Sequence, residues 1–124
     1  MASVLIVDDH VSFRATARAL LEAEGFEVVG EAADGRSAVV ATSTLKPDLV
    51  LLDIQLPDMD GFEVTQLLHA DGHRRIVVLT SSRDRSEYGE LVARSGALGF
   101  LPKAELSGIR LASFLPPRLK RARP

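Results

Sequence analysis

The chain has no cysteine and no tryptophan, and only one tyrosine and five phenylalanines among its 124 residues. Lacking cysteine, it can hold no disulfide scaffold, no thiolate-bound zinc and no thiol nucleophile. Its uncharged apolar runs are four or five residues long, far short of the ~20 needed to cross a bilayer as a helix. Met1-Ala2-Ser3 carries no basic stretch and leads straight into an apolar segment ending at Asp8, which is not the pattern of a secretory signal. Cytoplasmic residence, with no membrane partner, is the expectation. An excess of one charge is also missing, with 15 basic against 17 acidic residues and a net charge of −2. The balance is uneven along the chain. Residues 116–124 hold Arg118, Lys120, Arg121 and Arg123 and no acid, so residues 1–115 carry a net −6. Bulk electrostatics therefore argue against direct DNA binding by this chain. The basic end is read as a solvated, proline-containing tail or linker start after a single domain spanning residues 1–115.

What the sequence does have is rhythm. Five short apolar segments start 22, 23, 27 and 22 residues apart: Val4 to Val7, Phe26 to Val29, Leu49 to Leu52, Ile76 to Leu79 and Leu98 to Leu101. Three are apolar without interruption, as strands buried on both faces are. The segment from Phe26 to Glu31 is broken by charge, which suits an edge strand. Helical spacing fills the gaps. Phe13, Ala17, Leu20 and Leu21 form one stripe, with Gly25 as its stop. Asp34 caps a helix bearing Ala38, Ala41 and Leu45. Asp60 and Glu63 form a capping box before Val64, Leu67 and Leu68. Asp84 and Glu87 repeat the device before Tyr88, Leu91 and Val92, with Gly89 in mid-helix and Gly96 as the stop. A last helix is expected from about Ala104 to Leu115, ended by Pro116-Pro117. Alternation of strand and helix with right-handed crossovers gives an α/β fold, a parallel sheet covered on both faces.

Polar residues follow the strands: Asp8-Asp9 after the first, Asp53 after the third, Thr80-Ser81-Ser82 after the fourth and Lys103 after the fifth. Ligands of open parallel sheets bind at the carboxyl ends of the strands, so these residues should converge. Three nearby carboxylates repel unless one is protonated or a cation joins them. A hard divalent ion such as Mg²⁺ suits the oxygen ligands. Carboxylates, Mg²⁺, an ammonium and a hydroxyl around one position are equipment for phosphoryl transfer, and a carboxylate can itself be the nucleophile. Asp53, alone at a central strand end, is the candidate nucleophile. Gly61 is read as permitting a special backbone conformation in the loop after it. His10, His69 and His73 share no ligand spacing and are read as surface residues, and Tyr88 as core.

Val7-Asp8-Asp9-His10, the run from Pro47 through Asp53-Ile54-Gln55-Leu56-Pro57-Asp58-Met59-Asp60 to Gly61, Leu79-Thr80-Ser81 and Gly96 through Gly99-Phe100-Leu101-Pro102 to Lys103 resemble the receiver domains of two-component response regulators. The pairing of Asp-Asp-His with Gly-Phe-Leu-Pro-Lys-Ala-Glu-Leu is most similar to the NarL/FixJ type. The resemblance covers residues 3 to about 115. It implies a flavodoxin-like, doubly wound sheet of five parallel strands, order 2-1-3-4-5, with five helices. It also implies a phosphorylation-dependent signalling switch rather than a turnover enzyme. Asp53 would accept a phosphoryl group from a phosphohistidine on a sensor histidine kinase. Asp9, Asp53 and the Gln55 carbonyl would bind Mg²⁺, with Asp8 acting through a water. Lys103 would pair with Asp53 and then with a phosphoryl oxygen, and Thr80 would bond another. Thr80 and Phe100 would form the switch, while Gln55 and Ser82 would tune hydrolysis of the acyl phosphate. The output partner would meet the fourth helix, fifth strand and fifth helix, and the protein would be a monomer or a phosphorylation-dependent dimer.

Three departures stand out. Ala104 follows Lys103 where many receivers have proline, so a cis bond there would be a non-proline one, costing about 3–4 kcal/mol. Phe100 has no hydroxyl and could switch only through packing. No helix-turn-helix follows the receiver-like region, which suits either a single-domain regulator or a fragment carrying the start of a linker. Two other functions compete. One is a receiver-like interaction module that is never phosphorylated, although such modules usually lack part of the acidic set retained here. The other is a Mg²⁺-dependent phosphohydrolase with an Asp nucleophile, of the haloacid-dehalogenase kind. Its Asp-x-Asp at the first strand is absent here, where Asp8 and Asp9 are adjacent.

Overall fold

In the computed structural model, which describes residues 1–73 and 75–120, five strands form one parallel sheet. They are β1 (Ser3–Val7), β2 (Glu27–Ala32), β3 (Leu49–Asp53), β4 (Ile76–Ser81) and β5 (Gly99–Pro102), in the order β2-β1-β3-β4-β5. The helices are α1 (Val11–Ala23), α2 (Gly35–Leu45), α3 (Gly61–His69), α4 (Leu91–Arg94), α5 (Gly108–Ala112) and α6 (Pro117–Lys120). Two 3₁₀ segments, Arg85–Glu87 and Lys103–Glu105, precede α4 and α5.

The continuous apolar runs end up inside. Every residue of β3 is buried, and all but the first of β1 and β4. Successive strand residues face opposite ways, which divides the core in two. Val4, Ile6, Leu49, Leu51 and Val78 pack with Ala17 and Leu21 of α1 and Leu111 of α5. Leu5, Val7, Val50, Leu52, Val77 and Leu79 pack on the other face with Ala38 of α2, Val64 and Leu68 of α3 and Val92 of α4. The charge-broken β2 lies at an edge, as its pattern requires. The capping box of α3 forms as expected: Glu63 N–H donates to Asp60 Oδ1 at 2.9 Å, and Asp60 N–H to Glu63 Oε1 at 3.2 Å.

Several expectations need correction. The fourth helix is not continuous from Asp84 to Gly96. A 3₁₀ turn and a one-turn helix replace it, and Gly89 between them has φ +57°. No α-helix runs through that conformation, so Gly89 breaks the helix rather than weakening it. Leu91 points outward at 53% exposure, and Leu98 lies outside β5 at 54%. Leu67 of α3 is also outward, at 49%. At 3.6 residues per turn it falls about 110° from the middle of the arc buried by Gly61, Val64, Thr65 and Leu68. The last helix is shorter than Ala104 to Leu115. Lys103–Glu105 is 3₁₀, and α5 starts only where the Ser107 side chain accepts from Arg110 N–H at 3.1 Å. Pro117 opens α6 instead of ending the helical chain, since proline suits a first helical position. Arg121 and Arg123 of the expected tail lie outside the described residues. No peptide bond among the described residues is cis. No helix there is long and apolar enough to cross a membrane.

Candidate functional site

The carboxyl ends of β1, β3, β4 and β5 meet at one edge of the sheet. Asp53 is the last residue of β3 and pairs in register with Thr80 of β4. Asp8 follows β1, where its N–H donates to Ala32 O at 3.0 Å. Lys103 follows β5. Asp8, Asp53 and Thr80 are all almost wholly buried. Two buried carboxylates side by side demand compensation, and Lys103 supplies it. Its Nζ lies 2.6 Å from Asp8 Oδ2 and 3.4 Å from Asp53 Oδ2. The contact with Asp8 is a charge contact rather than an aligned hydrogen bond, since Asp8 Oδ2 is buried without a hydrogen-bond partner. The ammonium also sits 4.7 Å from the centre of the Phe13 ring, a cation–π distance.

These charges shift one another. Burial, reinforced by the negative charge of Asp8, pushes the Asp53 carboxyl up to about 6, against the opposing pull of Lys103 and the Gln55 N–H. For Lys103, burial works to discharge the amine, but its contacts with Asp8 and the charges of Asp53 and Asp8 together raise its pKa. Gln55 N–H donates to Asp53 Oδ1 at 3.2 Å, which anchors the loop after β3 on the carboxylate it follows.

Gly61 closes that loop for a different reason than expected. Its φ is ordinary, but a Cβ there would lie 2.8 Å from Asp53 O and 2.9 Å from Ile54 Cα. The N-terminus of α3 thus rests directly on the end of β3, with Gly61 N–H donating to Ile54 O at 2.8 Å.

The structure brings Asp8, Asp9, Asp53 and Lys103 together, with Thr80 beside Asp53. Gln55 and Ser82 stand exposed at the rim. Phe100 is half-buried on β5, opposite Leu79 in register and away from the charges. Its ring is 6.0 Å from that of Tyr88, which meets Phe62 edge-on at 5.9 Å. The Tyr88 hydroxyl lies 2.6 Å from Ser81 Oγ. Tyr88, read as core, is therefore a half-buried link between the end of β4 and Phe100.

Sequence reasoning passed over three other neighbours. His10 is exposed, as expected of a surface histidine, yet its Nδ1 lies 3.0 Å from Asp8 Oδ1 and 3.1 Å from Asp9 Oδ1. The available signal was its place directly after Asp9. Phe13, on the inner face of α1, also brings its ring to within 4.7 Å of the Lys103 ammonium. Arg14 donates to Asp8 O at 2.6 Å and to Glu31 Oε1 at 2.9 Å, tying the end of β1 to β2.

The acid set has the chemistry of a divalent-cation site. Asp8, Asp9, His10 and Asp53 each offer an atom within 4.8 Å of the others. Three carboxylates against one lysine leave two negative charges at this edge of the sheet. Oxygen ligands with an excess of two negative charges fit Mg²⁺.

Residues 4–111 match the family described as response regulator receiver domain. The chain belongs to this family. Receiver domains are signalling switches of two-component systems rather than turnover enzymes. Among similar proteins is a putative transcriptional regulator of Pseudomonas aeruginosa, 38% identical over 114 residues, which are 91% of this chain and 55% of that protein. The chain spans about half the length of the curated relatives it matches. The receiver domain of a putative response regulator NarL from Mycobacterium tuberculosis superposes with TM-score 0.79 at 33% identity, covering 91% of this chain and 95% of that one. A CheX–CheY–BeF₃–Mg²⁺ complex from Borrelia burgdorferi gives TM-score 0.80 at 28% identity, covering 91% of this receiver and 85% of that chain.

Proposed function

We propose that this receiver takes a phosphoryl group onto Asp53 from the phosphohistidine of a sensor histidine kinase. The observation that carries the reading is the seating of Asp53. It ends the central strand, buried, with Lys103 3.4 Å away and Thr80 beside it in register. An Asp53 oxygen attacks phosphorus, the phosphorus–nitrogen bond of the phosphohistidine breaks, and an acyl phosphate forms while the kinase histidine is regenerated. Lys103 turns from the carboxylates to a phosphoryl oxygen, and the Thr80 hydroxyl donates to another. The residues that would hold Mg²⁺ are Asp9, Asp53 and the Gln55 carbonyl, with Asp8 acting through a water. Bound there, the ion neutralises charge on the carboxylates and the transferring phosphoryl group. A CheY neighbour is described in complex with BeF₃ and Mg²⁺, which accords with this reading.

A move of Thr80 and Lys103 toward the phosphoryl group pulls on the ends of β4 and β5. Tyr88 connects the end of β4 to Phe100. The output partner then meets the surface of α4, β5 and α5, where Phe100 changes its packing. Gln55 and Ser82, exposed at the rim, tune how fast water removes the phosphoryl group. Intact-mass measurement after incubation with acetyl phosphate and Mg²⁺ should show one added phosphoryl group on the wild type and none on Asp53→Asn. Unchanged mass of the wild type overturns the assignment and favours an unphosphorylated interaction module, whereas equal labelling of the variant overturns it by moving the phosphoryl group to another residue. Steady release of phosphate from general phosphatase substrates would instead favour a hydrolase.

A further inference from the structure

His10 immediately follows the carboxylates at the end of β1, and its ring turns toward them. Its backbone N–H donates to Asp8 Oδ1 at 2.8 Å. Its Nδ1 lies 3.0 Å from that oxygen and 3.1 Å from Asp9 Oδ1. One of its ring nitrogens also falls within 4.8 Å of an Asp53 oxygen. Ligand atoms about 2.1 Å from an octahedral ion lie about 3.0 Å apart when adjacent and about 4.2 Å when opposite. The 3.1 Å between His10 Nδ1 and Asp9 Oδ1 is the spacing of adjacent ligands on one small cation, and a small rotation of the ring closes the remaining distance to Asp53. The ring is 65% exposed, so no core packing prevents the small rotation that would aim the nitrogen.

We propose that His10 Nδ1 is a direct ligand of the divalent ion, which makes this a mixed nitrogen–oxygen site that selects first-row transition ions more strongly than an all-oxygen receiver site does. The proposal rests on the reading of Asp9 and Asp53 as metal ligands. Carboxylates, carbonyls and water suit Mg²⁺, whereas imidazole suits the later, softer ions, whose affinities rise from Mn²⁺ toward Ni²⁺. On binding, the metal takes the Nδ1 lone pair, the ring keeps its proton on Nε2, and any second proton leaves to solvent. The competing role is purely structural, a ring N–H that holds Asp8 and Asp9 in place. That role would affect every ion alike.

The test uses the whole chain in a His73→Gln background, because exposed His73 lies 3.2 Å from Asp71 and could recruit an ion itself. Calorimetric titration with MgCl₂, MnCl₂ and NiCl₂ compares His10, His10→Ala and His10→Gln. Loss of the imidazole should weaken Ni²⁺ by about tenfold or more and leave Mg²⁺ within about twofold. Electron spin echo spectra of bound Mn²⁺ should show a directly coupled ¹⁴N that disappears in both variants. Equal weakening of all three ions, or no coupled nitrogen in the parent, overturns the proposal. Asp53→Asn separates the two levels. If Mg²⁺ binds but the nitrogen signature is missing, only the role of His10 fails. If Mg²⁺ affinity is indifferent to Asp53→Asn, the carboxylate site itself fails and the role of His10 falls with it.

Discussion

Lys103 is held nearer to Asp8 than to Asp53, with Nζ at 2.6 Å from one and 3.4 Å from the other. The ammonium therefore serves both acids, and its loss exposes each to the other. Lys103→Ala should destabilise the metal-free domain by about 3 kcal/mol at pH 8, because removing one partner strands buried charge. The loss should shrink near pH 5, where Asp53 is protonated, and Mg²⁺ should recover part of it at pH 8. Urea unfolding in EDTA and in Mg²⁺ at both pH values checks this. A loss independent of pH and metal would mean that Lys103 acts through its packing on Phe13 alone.

Asp53 gives the pH dependence of stability a definite sign. Its folded carboxyl is pushed up to about 6 from an ordinary 3.8 by burial and by Asp8. Between those values the folded state binds more protons than the unfolded one, so this group's contribution falls as pH rises through the window and is flat above it. Two units correspond to about 3 kcal/mol. Asp53→Asn should thus be more stable than the wild type at pH 8 without metal, by up to about 3 kcal/mol, and the gap should close near pH 4. Glu31, held low by Arg18 and Arg14, contributes in the opposite sense, but it is common to both proteins and cancels in the difference. A gap that stays constant from pH 4 to pH 8 would contradict the raised pKa.

The central strands were legible because a strand buried on both faces needs an unbroken apolar run, and β1, β3 and β4 have one. Since the topology carries the carboxyl ends of such strands to one edge, Asp8, Asp53, Thr80 and Lys103 could be placed together without knowledge of any side-chain rotamer. The segment from Asp84 to Gly96 was not legible. Its spacing of Tyr88, Leu91 and Val92 suits a helix, but the hydroxyl contact of Tyr88 with Ser81 and the left-handed Gly89 are consistent with a broken path. Periodicity cannot weigh such local contacts against a helix. The approach of His10 to Asp8 and Asp9 was half legible: its place directly after Asp9 sets it beside the site, but the contact itself depends on the direction of the ring. Gly61 illustrates a third limit. A glycine there signals that Cβ is unwelcome, and only coordinates distinguish a close backbone approach from a positive φ.

Gly61→Ala tests that distinction. A methyl group 2.8 Å from Asp53 O and 2.9 Å from Ile54 Cα meets backbone on both sides. The start of α3 must move away from the end of β3, at a cost of about 1–3 kcal/mol for overpacking. Because the shifted atoms include the carbonyl of Asp53, amide resonances of residues 53–56 should move more than those of the distant β2. Wild-type stability together with unperturbed 53–56 amides would show that the contact is looser than described.

Gly89→Ala separates the two accounts of the segment between β4 and α4 by its sign alone. In a continuous helix, alanine in place of a mid-helix glycine stabilises by about 1 kcal/mol. With φ at +57° the same change forces an L residue into the left-handed region, at about 1–2 kcal/mol. No atom lies within 4 Å of the added methyl group, so sterics from the rest of the domain do not obscure the comparison. Gly89→Ala should therefore lower the urea midpoint with no change in the slope of the transition. Gly89→Asn should be milder, because asparagine tolerates the left-handed conformation better than alanine does. A raised midpoint for Gly89→Ala would mean that residues 84–96 form the continuous helix their spacing suggests, and the path from Thr80 through Tyr88 to Phe100 would have to be redrawn.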